Sequence, residues 1–271
     1  MQYGVCVNML LKEGEGAGME LASCLNTIGF AYIELPRNRI CQLEKAEFER
    51  QAEEVGRTAL PCRCCNDFMP ASFQIVGDDL TPQSVLQEYL ANALERLARL
   101  GARLTVFGSP WSRGCPDGFP GEKAWDQIAD FLRMVGEMAE PYGVIVAVEH
   151  NNHSETNTLN HFSDVVKMVR TVNHPNVRAL CDYYHLRFEG DSPYILQDGG
   201  NLLVHTHIAQ LKDRGFLTDL NEEPVLCAYA ETLHRIGYEG GVSVEARPTH
   251  PESWEAEAAV TLSNLKQIFK S

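Results

Sequence analysis

Four short apolar runs in the second half of the chain each end in a residue whose side chain can bind a metal ion. Residues 144–148 are apolar without a break and lead into Glu149 and His150. Residues 177–181 lead to Asp182, residues 202–206 to His207, and residues 241–244 to Glu245. An unbroken apolar run of this length suits a strand covered on both faces, as in a parallel sheet. A carboxylate at the C-terminal end of such a strand lies where a closed barrel of parallel strands keeps its chemistry.

The rest of the chain fits that frame. Strand-like runs are expected over residues 3–9, 30–35, 59–64, 103–107, 144–149, 177–182, 202–207 and 241–245. Helical spacing appears between them, over 18–29, 41–57, 161–172, 223–236 and 254–269. A further helix opens at Thr81-Pro82, with Thr81 as cap and Pro82 in the first turn. Its apolar face is Val85, Leu86, Tyr89, Leu90, Ala93, Leu94 and Leu97. The Gly- and Pro-rich loop 108–121 precedes another helix ending near Pro141, and a short helical piece is expected around Tyr194. Strict alternation predicts parallel pairing with right-handed crossovers. An open doubly wound sheet would carry a Gly-rich phosphate turn after its first strand, and none follows Met9. The expectation is an α/β fold, a (β/α)8 TIM barrel, as a single domain over residues 1–271.

Length agrees, since such barrels run to about 250 residues as one unit. A formal charge of −14 argues against a nucleic-acid partner, which calls for a basic stripe. The N-terminus shows neither a basic segment nor a long apolar one, so no signal peptide is expected. No run approaches the roughly 18 apolar residues of a membrane span. Nine cysteines, an odd number spread through expected strands and helices, read as reduced thiols and a cytoplasmic location.

Glu149, Asp182, His207 and Glu245 lie 33, 25 and 38 residues apart, each one strand–helix unit from the next. On neighbouring strands of a closed barrel, all four can converge on one ion. Three carboxylates and an imidazole, with no thiolate, favour Mn²⁺, Mg²⁺ or Co²⁺ and admit Zn²⁺. Taken singly, each would pass for a solvated loop residue or a helix cap. Four on consecutive strand ends are read together as a metal site whose donor set does not single out one ion; Mn²⁺ is taken as the expected cofactor, with Mg²⁺, Co²⁺ or Zn²⁺ as alternatives.

At these residues the chain resembles the sugar isomerase/epimerase superfamily with a xylose-isomerase-like barrel, and in site spacing its ketose 3-epimerase (tagatose and psicose 3-epimerase) branch. The resemblance implies a divalent ion held by Glu149, Asp182, His207 and Glu245. It implies substrate contacts from Glu155, six residues after the first ligand, and from His185, three after the Asp ligand. The family's Arg six residues after the His ligand meets Asp213 here, with Arg214 one later, and Arg214 is taken as its counterpart. The segment 107–113 resembles a loop after strand four of related isomerases, so Trp111 is a candidate to line the sugar site and Arg113 to brace it, with a structural role as the alternative. The implied reaction is epimerisation or isomerisation of a ketose or keto-sugar through a metal-held enediolate. Glu149 and Glu245 serve in it as acid and base, and the sugar's handedness decides which is which. The partner is a small sugar, expected to be unphosphorylated, and a homo-oligomer is compatible with the sequence.

The same site supports an inosose-type dehydratase or cleavage of keto-sugar C-glycosides. A related barrel endonuclease would need further metal ligands on the early strands, and a non-catalytic sugar-binding barrel would not need the complete ligand set. Cys62-Arg63-Cys64-Cys65 contains a C-x-x-C spacing, read as packing or mouth lining in the absence of a second pair. His150 and His153 are read as exposed loop residues. His205, two residues before His207, faces the same side one layer deeper and reads as a supporting histidine. Glu34, at the end of strand two, is left without a role.

Overall fold

The structure is a computed structural model that describes residues 1–12 and 15–269. Eight parallel strands close on themselves: β1 (Gln2–Cys6), β2 (Tyr32–Pro36), β3 (Cys62–Asn66), β4 (Leu104–Phe107), β5 (Ile145–Glu149), β6 (Val177–Asp182), β7 (Leu203–Ile208) and β8 (Gly241–Val244). Each strand pairs with the next in sequence, and β8 pairs with β1. The helices are α1 (Ala22–Ile28), α2 (Arg37–Gln42), α3 (Lys45–Arg57), α4 (Gln83–Leu100), α5 (Pro110–Arg113), α6 (Gly121–Ala139), α7 (Phe162–Val172), α8 (Tyr183–Glu189), α9 (Leu196–Gly199), α10 (Leu226–Arg235) and α11 (Trp254–Ile268). Among the described residues, no helix is long and apolar enough to cross a membrane. The expected (β/α)8 barrel is the observed fold.

Local differences have local causes. Strand one stops at Cys6, because residues Val7–Leu10 turn into a 3-10 helix that carries Asn8 over the mouth. Strand three lies later than expected, at Cys62–Asn66. The helix expected from residue 41 is two helices, α2 and α3, broken by extended backbone at Leu43. Helix α4 begins one residue after Pro82. Thr81 does not cap it, since its hydroxyl instead accepts the Gln74 N–H at 2.8 Å. Helix α8 was not anticipated: it starts directly after β6, and Asp182 caps it by accepting the Tyr184 N–H at 2.7 Å.

Strand periodicity divides the side chains into two sets. One set faces the helices. Leu86, Leu90, Leu94 and Leu97 of α4 bury against it at helical spacing, as do Ile128, Leu132 and Val135 of α6. Phe107 packs edge-on to Phe68, centroids 5.2 Å apart, and meets Phe131 at 5.5 Å. Cys62 and Cys65 also belong to this outer layer, with sulfurs 3.9 Å apart, and both remain free thiols. The C-x-x-C spacing therefore serves packing.

The other set fills the barrel. Cys64, Val106, Ala147 and Leu180 form a small apolar cluster on the β3–β6 side. Tyr32, Glu34, His205, His207 and Ser243 are buried on the opposite side, joined by hydrogen bonds. Half of the barrel interior is therefore oil and half a polar network. Phe107→Ala, which empties a fully buried ring site, is expected to cost about 3–5 kcal/mol, measured as the shift in urea unfolding free energy.

Candidate active site

The four ligand candidates meet. Donor atoms of Glu149, Asp182, His207 and Glu245 all lie within 4.8 Å of one another, and each of the four residues is buried. His207 Nδ1 is 2.9 Å from Glu149 Oε1 and 3.0 Å from Glu245 Oε2. Asp182 spends Oδ1 on capping α8, which leaves Oδ2 turned into the mouth. Cap and candidate ligand are therefore the same side chain. Glu149 closes β5 beside Gly108, where a Cβ would lie 2.5 Å from Glu149 Oε2. Any larger residue there would displace that carboxylate.

So many acids in one place perturb each other. Burial, then repulsion from Glu149 and Glu245, pushes the Asp182 carboxyl up to about 7 against the pull of Arg214. Burial raises the Glu149 carboxyl, with His207 opposing. Burial acts in the same sense on Glu245, but Arg214 and His207 outweigh it and hold that carboxyl at about 2. Burial disfavours a charged His207, yet Cys6 and the carboxylates of Glu34, Glu245 and Glu149 raise its imidazole well above the usual histidine range. A divalent cation suits this surplus of buried negative charge, and oxygen-rich donors match hard ions.

Arg214 reaches the cluster in spite of its offset position. Asp213 and Arg214 both adopt left-handed backbone, with φ of 57° and 50°, in a tight turn after β7. That turn swings the guanidinium inward, where Nη2 donates to Glu245 Oε2 at 2.6 Å and to Asp182 Oδ2 at 3.1 Å. Nη1 lies 3.5 Å from Glu155 Oε1. Two successive left-handed non-glycine residues store strain of roughly 1–3 kcal/mol each, a pattern that collects at functional sites. Arg214 also lies over the Tyr184 ring, 4.8 Å from its centroid.

His185 is fully buried with its ring fixed by asparagines. The backbone N–H of Asn152 donates to His185 Nδ1 at 3.2 Å, which makes Nδ1 the acceptor and leaves the proton on Nε2. Nε2 faces Asp182 Oδ2 at 3.5 Å and Glu155 Oε2 at 3.9 Å. Burial, then Arg214 and His150, keeps this imidazole neutral well below the ordinary histidine range. The site thus holds a neutral Nε2–H donor beside a permanent cation.

The remaining candidates separate. Trp111 is 66% exposed and stands at the rim of a cavity of about 400 Å³ that Asn8, Asn66, Glu155, Arg214 and Glu245 also line. Arg113 is fully buried and spends its guanidinium on the protein: Nε donates to Gly108 O at 2.6 Å, and Nη2 to Asn151 Oδ1 at 2.6 Å and Glu149 O at 3.2 Å. It braces the loops beneath the cavity and does not face it. His153 is exposed and pairs with Glu189 at 2.8 Å. His150 departs from the exposed-loop expectation. It is buried, and its Nε2 accepts the Asp182 N–H at 3.2 Å.

Sequence reasoning passed over Asn8 and Asn66, which donate to Glu245 Oε1 at 3.4 and 3.2 Å, and the pair Asn151 and Asn152 around His185. Their signal was an asparagine at the end of β3 and just past the ends of β1 and β5. It also left out Glu34, fully buried against His205 and His207.

The barrel and its mouth define a class of protein: a TIM barrel with a carboxylate- and histidine-rich centre across strands five to eight. The family model of the xylose isomerase-like TIM barrel matches residues 24–267, and the chain belongs to that family. Among curated relatives, the chain is 35% identical over 150 residues to an inosose isomerase of Bacillus licheniformis, covering 51% of this chain and 52% of that one. It is 29% identical over 126 residues to D-psicose 3-epimerase of Ruminiclostridium cellulolyticum, covering 45% and 41%. The matched segments span about half the length of these relatives, or less. Among solved structures, D-psicose 3-epimerase with D-tagatose from Clostridium cellulolyticum H10 superposes with TM-score 0.85 at 19% identity, over 99% of both chains. The IOLI protein with a bound zinc atom superposes with TM-score 0.75 at 22% identity, over 100% of this chain and 98% of that one.

Asp182 gives the metal-free protein a distinctive pH profile. The folded state keeps a proton on Asp182 up to about 7, whereas the unfolded chain releases it near the ordinary aspartate value of 3.8. The folded state therefore binds more protons across that window, so this residue makes stability fall as pH rises from about 4 to about 7. Asp182→Asn is expected to remove that slope, a difference on the order of a few kcal/mol at pH 7.5. Urea midpoints of both proteins in a metal chelator, at pH 5 and pH 7.5, measure it.

Proposed function

We propose that the chain is a divalent-metal-dependent sugar isomerase/epimerase, acting on a ketose or on a keto-sugar, cyclic keto-polyols included, through an enediolate. The carrying observation is the convergence of Glu149, Asp182, His207 and Glu245 donor atoms within 4.8 Å at the barrel mouth. Similarity to proteins named inosose isomerase and D-psicose 3-epimerase supports the same reaction class. Mn²⁺ is the ion proposed for this oxygen-rich set. Zn²⁺ is the next candidate, in view of the zinc atom in the similar IOLI protein.

When bound, the ion supplies Lewis-acid polarisation of a carbonyl and an adjacent hydroxyl oxygen. Glu149 and Glu245 come from β5 and β8, the outer two of the four strands that carry the set. One of these carboxylates takes the proton from the carbon beside the carbonyl, and the other returns a proton to the opposite face. Handedness of the sugar decides which does which. His185 Nε2–H and the Arg214 guanidinium donate to the oxygen on which negative charge develops, an electrostatic contribution that is large in a site closed to water. Glu155, between them, orients a hydroxyl. Trp111 covers the sugar at the rim, and the cavity of about 400 Å³ holds one monosaccharide-sized polyol. Nine free thiols suit a reducing cytoplasm.

The decisive experiment incubates Mn²⁺-loaded protein in deuterium oxide with a panel of ketoses and inososes, read by NMR. Deuterium is expected at the carbon beside the carbonyl, with an epimer or isomer as product. A dehydrated product would redirect the reading to a lyase, and no exchange in any sugar would reject it. Glu149→Gln and Glu245→Gln, each removing one proton carrier, are expected to slow exchange by about 10²–10⁴-fold, measured under the same conditions.

A further inference from the structure

We propose that Glu34 is the positioning residue for the metal centre, holding the His207 imidazole so that its Nδ1 lone pair points into the donor set. This inference rests on the metal-dependent reading above and goes beyond the four ligands and the sugar contacts.

The two nitrogens of His207 face different worlds. Nδ1 looks up at Glu149 Oε1 and Glu245 Oε2, at 2.9 and 3.0 Å. Nε2 looks into the barrel at Glu34 Oε1, 3.0 Å away. A carboxylate only accepts, so the hydrogen bond to Glu34 requires the proton on Nε2. A cation in the donor set would need Nδ1 stripped of its proton, and a Nε2 proton held by Glu34 leaves the lone pair on Nδ1. Carboxylates that fix the far nitrogen of a ligating histidine set both its tautomer and its orientation.

Glu34 is itself held on both oxygens. Oε2 accepts from Ser243 Oγ at 2.8 Å and lies 3.0 Å from His205 Nε2, while Ser243 Oγ is 2.9 Å from the Tyr32 hydroxyl. The chain Tyr32–Ser243–Glu34–His207 therefore runs from β2 to β8, back to β2 and across to β7. A fully buried carboxylate is costly unless every lone pair is met, and this one is met on both sides.

The barrel backbone is shaped around this chain. A Cβ on Gly4 would lie 2.1 Å from the Tyr32 ring, and one on Gly241 would lie 2.5 Å from the Tyr32 hydroxyl. Two bare positions on β1 and β8 thus make the space in which the tyrosine reaches Ser243. Register shifts between paired strands fall at Ile33/Glu34 on β2 and at Ala179/Leu180, opposite Leu203 and His205 on β7. Such irregularities re-aim side chains beside functional sites.

The test uses the whole chain, stripped of metal and titrated with Mn²⁺ by calorimetry. Glu34→Gln keeps the volume but removes the charge, and is expected to weaken Mn²⁺ binding at least about tenfold while leaving the circular dichroism spectrum unchanged. In the Zn²⁺-loaded native protein, His207 is expected to show a slowly exchanging, downfield Nε2–H proton that moves upfield in the variant. Glu34→Ala adds a cavity and is expected to weaken binding further. If Glu34→Ala fails to fold, the glutamine variant decides. Unchanged Mn²⁺ affinity in folded Glu34→Gln overturns the proposal alone. Two Mn²⁺ or Zn²⁺ ions per native chain also overturn it, since Glu34, Cys64 and His205 would then be ligands of a second centre. Failure of the native chain to bind any of these ions overturns the metal reading itself, and the proposal with it.

Discussion

Everything at the mouth of this barrel follows from burying Glu34, Glu149, Asp182 and Glu245 around one imidazole. Charges of one sign, taken out of water at hydrogen-bonding distances, repel strongly enough to change protonation states. Asp182 is pushed up to about 7, Glu245 is held near 2 by Arg214 and His207, and His207 is raised well above its usual range. Arg214 and His207 are the counterweights that let such a cluster fold. The strained turn at Asp213 and Arg214 delivers one of them, and β7 delivers the other.

Rigid elements hold the cluster so that its members cannot drift apart. Asp182 is tied to the first turn of α8, Glu149 is confined by Gly108, and Glu245 is gripped by Asn8 and Asn66. Arg113 ties the ends of β4 and β5 together from below. His150 receives the Asp182 N–H. The apolar half of the barrel interior fixes the strands that carry Glu149 and Asp182. The polar half anchors His207 from beneath.

Legibility in the sequence followed distance along the chain. The strand–helix alternation and the four strand-end residues were readable because each is a local pattern, a run of apolar residues and the side chain that ends it. Trp111 was readable as a lining residue and Arg113 as a brace, but not what Arg113 braces. Whether a loop side chain faces the cavity or the protein beneath depends on Gly108, Asn151 and Glu149, which come from two separate strands. Asn8 was misplaced on a strand, since a short 3-10 turn has no periodicity to betray it. Helix α8 was hidden because its cap, Asp182, already had a reading as the end of β6.

The sequence by itself determined the parallel barrel, its eight strands and the convergence of Glu149, Asp182, His207 and Glu245, because strand period and unit length dictate which side chains share a mouth. Only the tertiary structure decided what Glu34 contacts, how Arg214 enters the cluster, and which nitrogen of His185 carries its proton. Those are properties of contacts between strands far apart in sequence: Glu34 lies 173 residues from His207 and 209 from Ser243. Burial there turns a hydrogen-bond partner into an obligation, and the partner is chosen by barrel closure, which no local pattern records.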